Sequence, residues 1–445
     1  MKVKQIISKA LIFIILILLL NNVLGILGIN PIATVFLISI LFYLKTEPKT
    51  AKNNGSNLLN ITLLCVAFLA ISNFIIKNQL PFYLIPFSLI PMLATLLYSD
   101  LQISLFISLI LSTLLALLAK NDLYLGILSL SSSIISSLLV LGGRRRSQII
   151  RSGMLIGLFQ ALALLFLQNF KILEPKTYLL IFLNGFICAV AVVGILPIFE
   201  YLFKTITNIS LLELSDLTHP LLKAMILKAA GTYHHSLIVG NLSEAACEAV
   251  GANALLARIG AYYHDIGKIE KAEYFSENQF PHLTKHDALS PSMSKMVIIN
   301  HVKEGEDLAK RHRLNPQIID FILQHHGTSL VYYFYRRALE NFEETPEIEE
   351  EGFRYPGPKP NKKETAIVLL ADSVEAASRT LKEPTPAKIE ELVHKIINNK
   401  FIDGQLDECD LTLRDLEKIA KIFIRILVSI YHARITYPES SASSQ

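Results

Sequence analysis

At positions 262–269 the chain reads YYHDIGKI. His264 and Asp265 both offer a metal ligand, and they follow an apolar run, ALLARIGAYY, whose spacing is helical. Further candidate ligands share the same half of the chain: His235 in YHHS, His301 in IINHVKEG, His325 and His326 in QHHGTS, and Asp372 in VLLADSVEAA. An aspartate set among Val, Leu and Ala is expensive to bury unless it is paired or coordinated. Neighbouring residues on a helix point about 100° apart, so one ion held by both His264 and Asp265 is an awkward geometry. Two ions sharing the Asp265 carboxylate fit better, with the histidines divided between them. Imidazole and carboxylate without thiolate suit Mn or Fe, and also admit Zn or Co. Two such ions, about 3.5–4 Å apart, activate a bridging water near neutral pH and clamp a phosphoryl oxygen. Lys268, three residues past Asp265, can set a point charge against a phosphate.

These residues need helices to carry them. In 234–250, HHSLIVGNLSEAACEAV, apolar residues recur at near-helical spacing, and further helices are expected at 292–311, 315–326, 330–342, 363–380, 386–398 and 411–435. No stretch sustains the alternation of a strand, so the class is all-α. All twelve histidines lie between His219 and His432. The four cysteines, Cys65, Cys188, Cys247 and Cys409, are far apart with no CxxC, which excludes a zinc ribbon or a disulfide framework.

The first 200 residues are a different material. The chain is 52% hydrophobic, with a mean hydropathy of +0.44, and the excess sits between residues 6 and 200. Candidate spans fall at 6–28, 31–45, 57–77, 80–99, 101–119, 122–142, 153–170 and 177–200, giving seven or eight helices. The first lacks a small-residue cleavage site and reads as a retained helix. With eight spans and an inside N-terminus, the inner loops hold Lys2, Lys4, Lys9, Lys45, Lys49, Lys52, Arg144, Arg145, Arg146 and Arg151, against Lys77, Lys120, Lys171 and Lys176 outside. That bias places the histidine-rich half in the cytoplasm. The span cores at 11–43, 57–76, 101–119, 125–142 and 153–170 carry no ionisable side chain, which argues against a pump or an ion-coupled transporter. They suit an anchor, or a sensor of an uncharged signal. The net charge of +4 owes much to membrane-proximal loops and gives no reason to expect a DNA or RNA partner.

The order His, His-Asp, Asp, with HDIGK, resembles the HDIG branch of the HD phosphohydrolase superfamily. GTYHHSLIVGNLSEAACEAVGANALLARIGAYYHDIGKI, QHHGTSL, FRYPGPKP, ADSVEAASRT and DGQLDECDLTLRDLEKIA together are similar to the bacterial multi-span membrane HD proteins, over 200–437, and GGRRRSQIIRSGMLIG matches that family's basic loop more loosely. The resemblance implies His235, His264, Asp265 and Asp372 on one divalent ion, and Asp265, His301, His325 and His326 on the other. It implies a phosphodiesterase of the bacterial cytoplasmic membrane that hydrolyses cyclic di-AMP to pApA by in-line attack of a metal-bridging hydroxide. Asp265 and Lys268 are then the catalytic residues, and a homodimer is compatible. The domains so implied are a transmembrane bundle over 1–200, a linker helix over 201–218, the HD domain over 219–437 and a disordered tail over 438–445. The alternatives are a nucleotide or alarmone (ppGpp, dNTP) phosphohydrolase and a non-catalytic nucleotide-binding membrane receptor. The chain departs from the family pattern in lacking a large extracytoplasmic domain after the first span, and in Ala230, where a proline is expected. The HD-GYP signature of cyclic di-GMP enzymes is also missing.

The remaining polar residues receive plainer readings. His234 is structural, and His282 and His286 lie in a polar loop as surface or substrate-contacting residues. Tyr262 and Tyr263 are core or pocket wall. The loop EETPEIEEEGFRYPGPKP reads as exposed and mobile, with Arg354 and Lys359 available to a nucleotide.

Overall fold

The computed structural model describes residues 55–168, 170, 173–279, 285–340 and 349–431. The chain divides into two compact units, Met1–Ser210 and Leu211–Gln445. Both are helical, and the described residues contain no strand beyond one isolated bridge between Leu330 and Arg354. The candidate spans at 6–28 and 31–45 and the tail at 438–445 lie outside the described residues.

In the first unit, α1 spans Gly55–Lys77, α2 Leu89–Tyr98, α3 Leu101–Leu118, α4 Leu123–Val140, α5 Arg146–Leu167 and α6 Pro175–Phe203. Among the described residues, α3 to α6 are the four helices long and apolar enough to cross a membrane. The run at 80–99 is not one span. Pro81 and Pro86 interrupt it, leaving a single 3-10 turn at Phe82–Leu84 before the ten-residue α2, whose first turn takes in Pro91. The carbonyls this break leaves free are taken by neighbours. Asn184 Nδ2 donates to Tyr83 O at 2.8 Å and Ile85 O at 2.9 Å, and Ser133 Oγ to Phe87 O at 3.1 Å. This accounts for the serines of LSLSSSIISS in α4: the membrane offers no water, so interrupted backbone must be satisfied by side chains. Helices α5 and α6 approach closely, because a Cβ on Gly157 would fall 2.0 Å from Phe182 O and one on Gly185 2.4 Å from Gly157 N.

The expected linker helix over 201–218 is also broken. Helix α6 ends at Phe203, Lys204 takes the left-handed conformation (φ 52°), and a short α7 follows at Asn208–Leu214. The turn is fixed by the Glu200 carboxylate, which accepts from Thr207 N at 2.8 Å and Ser210 Oγ at 2.7 Å.

The second unit holds α8 (Pro220–Lys228), α9 (Ala230–Val250), α10 (Ala254–Tyr263), α11 (Pro291–Arg311), α12 (Pro316–Gln324), α13 (Tyr332–Glu340), α14 (Lys363–Ser378), α15 (Pro386–Ile402) and α16 (Leu413–Tyr431). Its centre is α14, whose residues 366–371, AIVLLA, are fully buried. Helix α9 packs on α10, α14 and α16, and α12 packs on α10 and α14. Burial of a run like this, at about 25 cal/mol per Å2 of apolar surface, holds α14 in place and carries Asp372 into the interior. Several starts combine a capping side chain with proline at the first position: Ser290-Pro291, Asn315-Pro316 and Thr385-Pro386. Ala230 stands at the first position of α9, where proline is likewise tolerated.

Candidate metal centre

The His264-Asp265 and His325-His326 doublets both sit where a helix is ending. His264 closes α10, and Asp265 (φ −109°, ψ 16°) has already left helical geometry. His325 closes α12 in the same way. Leaving the helix removes the 100° divergence of adjacent side chains, so both members of a doublet can converge. After Asp265 the chain runs as 3-10 turns over Ile266–Tyr274, pressed onto α11. A Cβ on Gly267 would fall 1.8 Å from His301 O, so the glycine of HDIG is what lets the segment bring Asp265 up to His301.

All seven candidate ligands come together, in two groups that share Asp265. One group is His235, His264, Asp265 and Asp372, and the other is Asp265, His301, His325 and His326; within each, the possible ligand atoms lie within 4.8 Å of one another. Asp265 is fully buried and divides its oxygens. Oδ2 faces His264 Nε2 at 3.2 Å and His235 Nε2 at 3.8 Å, while Oδ1 faces His301 Nε2 at 3.3 Å and His325 Nε2 at 3.5 Å. Asp372 Oδ1 lies 3.0 Å from His235 Nε2, and its Oδ2 lies 3.5 Å from His326 Nδ1.

The imidazoles are aimed from behind. His264 Nδ1 donates to Ala261 O at 2.6 Å, His325 Nδ1 to Ile322 O at 2.9 Å and His301 Nδ1 to Ile298 O. Each bond leaves Nε2 as the atom turned to the centre, the usual outer support of a metal-binding histidine. His235 instead bonds its Nδ1 to the Glu375 carboxylate, which is held in turn by Arg379 Nε at 2.7 Å. Glu375 was not among the expected residues; it lies one turn beyond Asp372 on the same helix and is buried against His235.

Three buried atoms at the centre have no hydrogen-bond partner: His264 Nε2 and both carboxylate oxygens of Asp265. Lys268 Nζ is 2.7 Å from Asp265 Oδ2, close enough for charge attraction, but it does not satisfy the oxygen directionally. Buried polar groups without partners are rare and ask for an explanation. Orphaned oxygen and nitrogen atoms converging from two sides, with no sulfur, fit hard or borderline divalent ions.

The two groups also differ in charge. Burial lowers the pKa of His325 to about 4, and it holds His326 well below the ordinary range, with the His325 ring acting in the same direction. Both are neutral lone-pair donors at pH 7. For His264 burial acts the same way, but the Asp265 and Asp372 carboxylates outweigh it and raise its pKa to about 10. Burial opposes the charge of Lys268 too, yet Asp265 and Glu277 keep it firmly protonated; Glu277 Oε1 accepts from Nζ at 3.0 Å.

Other expectations resolve differently. His286 is not on the surface: it is largely buried, its Nε2 donates to Tyr274 O at 2.8 Å, and its ring leans on Phe334. His282 lies outside the described residues. His234 is exposed and away from the ligand groups. Tyr263 is fully buried, with its hydroxyl donating to Leu214 O at 2.8 Å. The loop expected to be mobile is, in its second half, packed: Phe353 and Tyr355 are buried, and Tyr355 stacks on His326 with ring centroids 4.2 Å apart. All four cysteines are free.

Two family models match: "7TM receptor with intracellular HD hydrolase" over residues 22–207 and "HD domain" over 232–377. The chain belongs to the membrane-bound HD-domain family. It is 39% identical over 431 residues to the cyclic-di-AMP phosphodiesterase PgpH of Bacillus subtilis, covering 93% of this chain and 60% of that one. It is 45% identical over 301 residues to the PgpH of Listeria monocytogenes, covering 66% and 42%. The chain thus spans well under two thirds of these relatives' length. The crystal structure of the L. monocytogenes PgpH HD domain in complex with cyclic-di-AMP is 48% identical, covers 49% of this chain and all of that one, and superposes with a TM-score of 0.46. The family implies divalent metal binding, and the His/Asp cluster is where this chain could hold it.

Proposed function

We propose that this protein is a dinuclear-metal phosphodiesterase that hydrolyses a cyclic dinucleotide, with cyclic di-AMP as substrate and pApA as product. The observation that carries the reading is the sharing of the buried Asp265 carboxylate, neither oxygen of which has a hydrogen-bond donor, between two ligand groups. In it His235, His264, Asp265 and Asp372 hold one ion, and Asp265, His301, His325 and His326 the other. The all-nitrogen-and-oxygen donor set favours Mn or Fe. Bound ions would supply two things here, a water acidic enough to react near pH 7 and a clamp on a phosphoryl oxygen.

The chain's own groups do the rest. Asp265 fixes the spacing of the pair. Glu375 and the three backbone carbonyls orient the imidazoles. Lys268, kept protonated by Asp265 and Glu277, acts as a fixed positive charge for the transition state and not as a proton donor. The substrate is read from the relatives, both cyclic-di-AMP phosphodiesterases by name, at 39% and 45% identity. Around the four long apolar helices, Arg144, Arg145, Arg146 and Arg151 cluster at the α4–α5 turn, the side on which α6 ends, against Lys120 and Lys176 on the other, which supports a multi-pass placement in the bacterial cytoplasmic membrane with the metal-binding unit in the cytoplasm.

The test is hydrolysis by the detergent-solubilised chain, loaded with Mn2+ or Fe2+, of cyclic di-AMP, cyclic di-GMP, dNTPs and ppGpp, with product identification. Preferred conversion of cyclic di-AMP to pApA is expected. Preference for ppGpp or a dNTP moves the protein to the alarmone or nucleotide phosphohydrolases, and tight nucleotide binding without turnover makes it a receptor.

A further inference from the structure

A cyclic dinucleotide carries two phosphodiesters, and a single dinuclear centre cuts one at a time. The other keeps its negative charge and has to be held. Three cationic side chains gather around the turn that follows His326 and the turn at 403–405: Arg354, Lys359 and Lys400. Two are already matched. Arg354 Nη2 lies 2.6 Å from Glu350 Oε1 and 2.9 Å from Asp403 Oδ1, and its Nη1 donates to Thr328 O at 2.9 Å. Lys359 Nζ lies 3.5 Å from Asp407 Oδ2. These are the two residues the sequence offered to the nucleotide, and both are engaged elsewhere.

Lys400, near the end of α15, is different. Its Nζ donates to Ser329 Oγ at 2.7 Å, and among the described residues it makes no ion pair. The side chain is half-buried. Burial pulls its pKa below the ordinary lysine value, with Asp372 and Asp403 acting the other way through space. A sheltered ammonium facing only a neutral hydroxyl is costly to keep, and an anionic ligand removes that cost. Its position is tied to the metal centre. Ser329 N donates to His326 O at 3.1 Å, Tyr355 N donates to Ser329 O at 3.0 Å, and Tyr355 stacks on His326. The segment that presents His326 therefore also seats Lys400.

We propose that Lys400, resting on Ser329, is the anion subsite for the phosphodiester that is not being cut, and so selects substrates carrying two phosphates. The inference rests on the cyclic-dinucleotide reading above. An ammonium has three donors; Ser329 takes one, and two remain for the non-bridging oxygens.

The experiment compares two substrates on the full chain in detergent with Mn2+: cyclic di-AMP, with two phosphodiesters, and bis(4-nitrophenyl) phosphate, with one. The variants are Lys400→Met and Lys400→Ala, which remove the charge, and Lys400→Arg, which keeps it. Loss of a charged hydrogen bond predicts a fall of about 10–100-fold in kcat/KM for cyclic di-AMP, mostly through KM. Hydrolysis of the single phosphodiester should stay within about twofold, the range of a change that touches no contact of that substrate, and Arg should restore most of the loss. Parallel loss on both substrates, loss of bound metal in Lys400→Met, or an unchanged KM for cyclic di-AMP overturns the proposal. If the wild type cleaves only the single phosphodiester, the cyclic-dinucleotide reading itself is at fault, and the subsite falls with it.

Discussion

The two units bury polar groups for opposite purposes. In the membrane unit the seam of α2, α3 and α4 closes on itself: Ser104 Oγ lies 2.6 Å from both Thr95 Oγ1 and Ser137 Oγ, and Asn184 and Ser133 donate to the carbonyls of the proline break. In the second unit the groups converge and are left open, with His264 Nε2 and both oxygens of Asp265 lacking a hydrogen-bond partner. Uncharged groups that satisfy each other build a scaffold; ionisable groups held without partners build a site.

The largest effect belongs to the shared carboxylate. Asp265→Ala leaves both ligand groups one oxygen short, and turnover should fall by at least about 10^3-fold, the upper range for losing one strong electrostatic element. Metal content, read by elemental analysis, should fall with it. Retention of two ions and wild-type turnover would show that Asp265 bridges nothing.

Metal loading should depend on pH differently in the two groups. His264, with a pKa of about 10, carries a proton at pH 7 that an ion must displace, so affinity there should rise about tenfold per pH unit up to about 10. His325, with a pKa of about 4, has no proton to lose above pH 5, and His326 is held well below the ordinary range, so these two ligands should release no proton on loading between pH 5 and 8. Calorimetric Mn2+ titrations in buffers of different ionisation heat count the protons released. Release of none at pH 7, or equal release from both sites, breaks the distinction.

A smaller effect is expected one layer out. Glu375→Gln keeps the shape but weakens the acceptor behind His235, and should cost about 10–100-fold in metal affinity or activity. Glu375→Asp, a shorter carboxylate, should lose less than Glu375→Ala.

The seven candidate ligands were visible in sequence because their types are rare in apolar surroundings and their doublets mark helix ends. Glu375 was not, because a glutamate in a helix beside an alanine pair looks like solvated surface; only burial against His235 distinguishes it. Tyr355 was hidden by its polar, proline-rich context, which suggested a mobile loop although its second half packs on His326. Lys400 was hidden for the opposite reason, since a lone lysine near the end of an amphipathic helix is common. In the membrane unit, hydropathy marked 80–99 as a span, yet it cannot register that Pro81 and Pro86 break the run. Fold class follows from periodicity and hydropathy, whereas contacts across the fold decide which ordinary polar residue becomes structural.

The smallest effect, and the sharpest for the contrast, is expected from Asn184→Ala. Removing this side chain takes the amide donor from Tyr83 O and Ile85 O in the membrane unit, and of the two only Ile85 O keeps another, Phe87 N at 2.9 Å. Such intramembrane hydrogen bonds contribute about 0.6 kcal/mol each and rarely more than about 1.7, so the protein should lose about 1 kcal/mol of stability in detergent. Its metal content and its turnover per folded molecule should stay at wild-type values, because no ligand or substrate contact is touched. A folded, fully metallated Asn184→Ala variant with turnover reduced as far as by Glu375→Gln would overturn this division. The polar seam would then be part of a device that transmits its state to the metal centre, and the membrane unit a regulator rather than a scaffold.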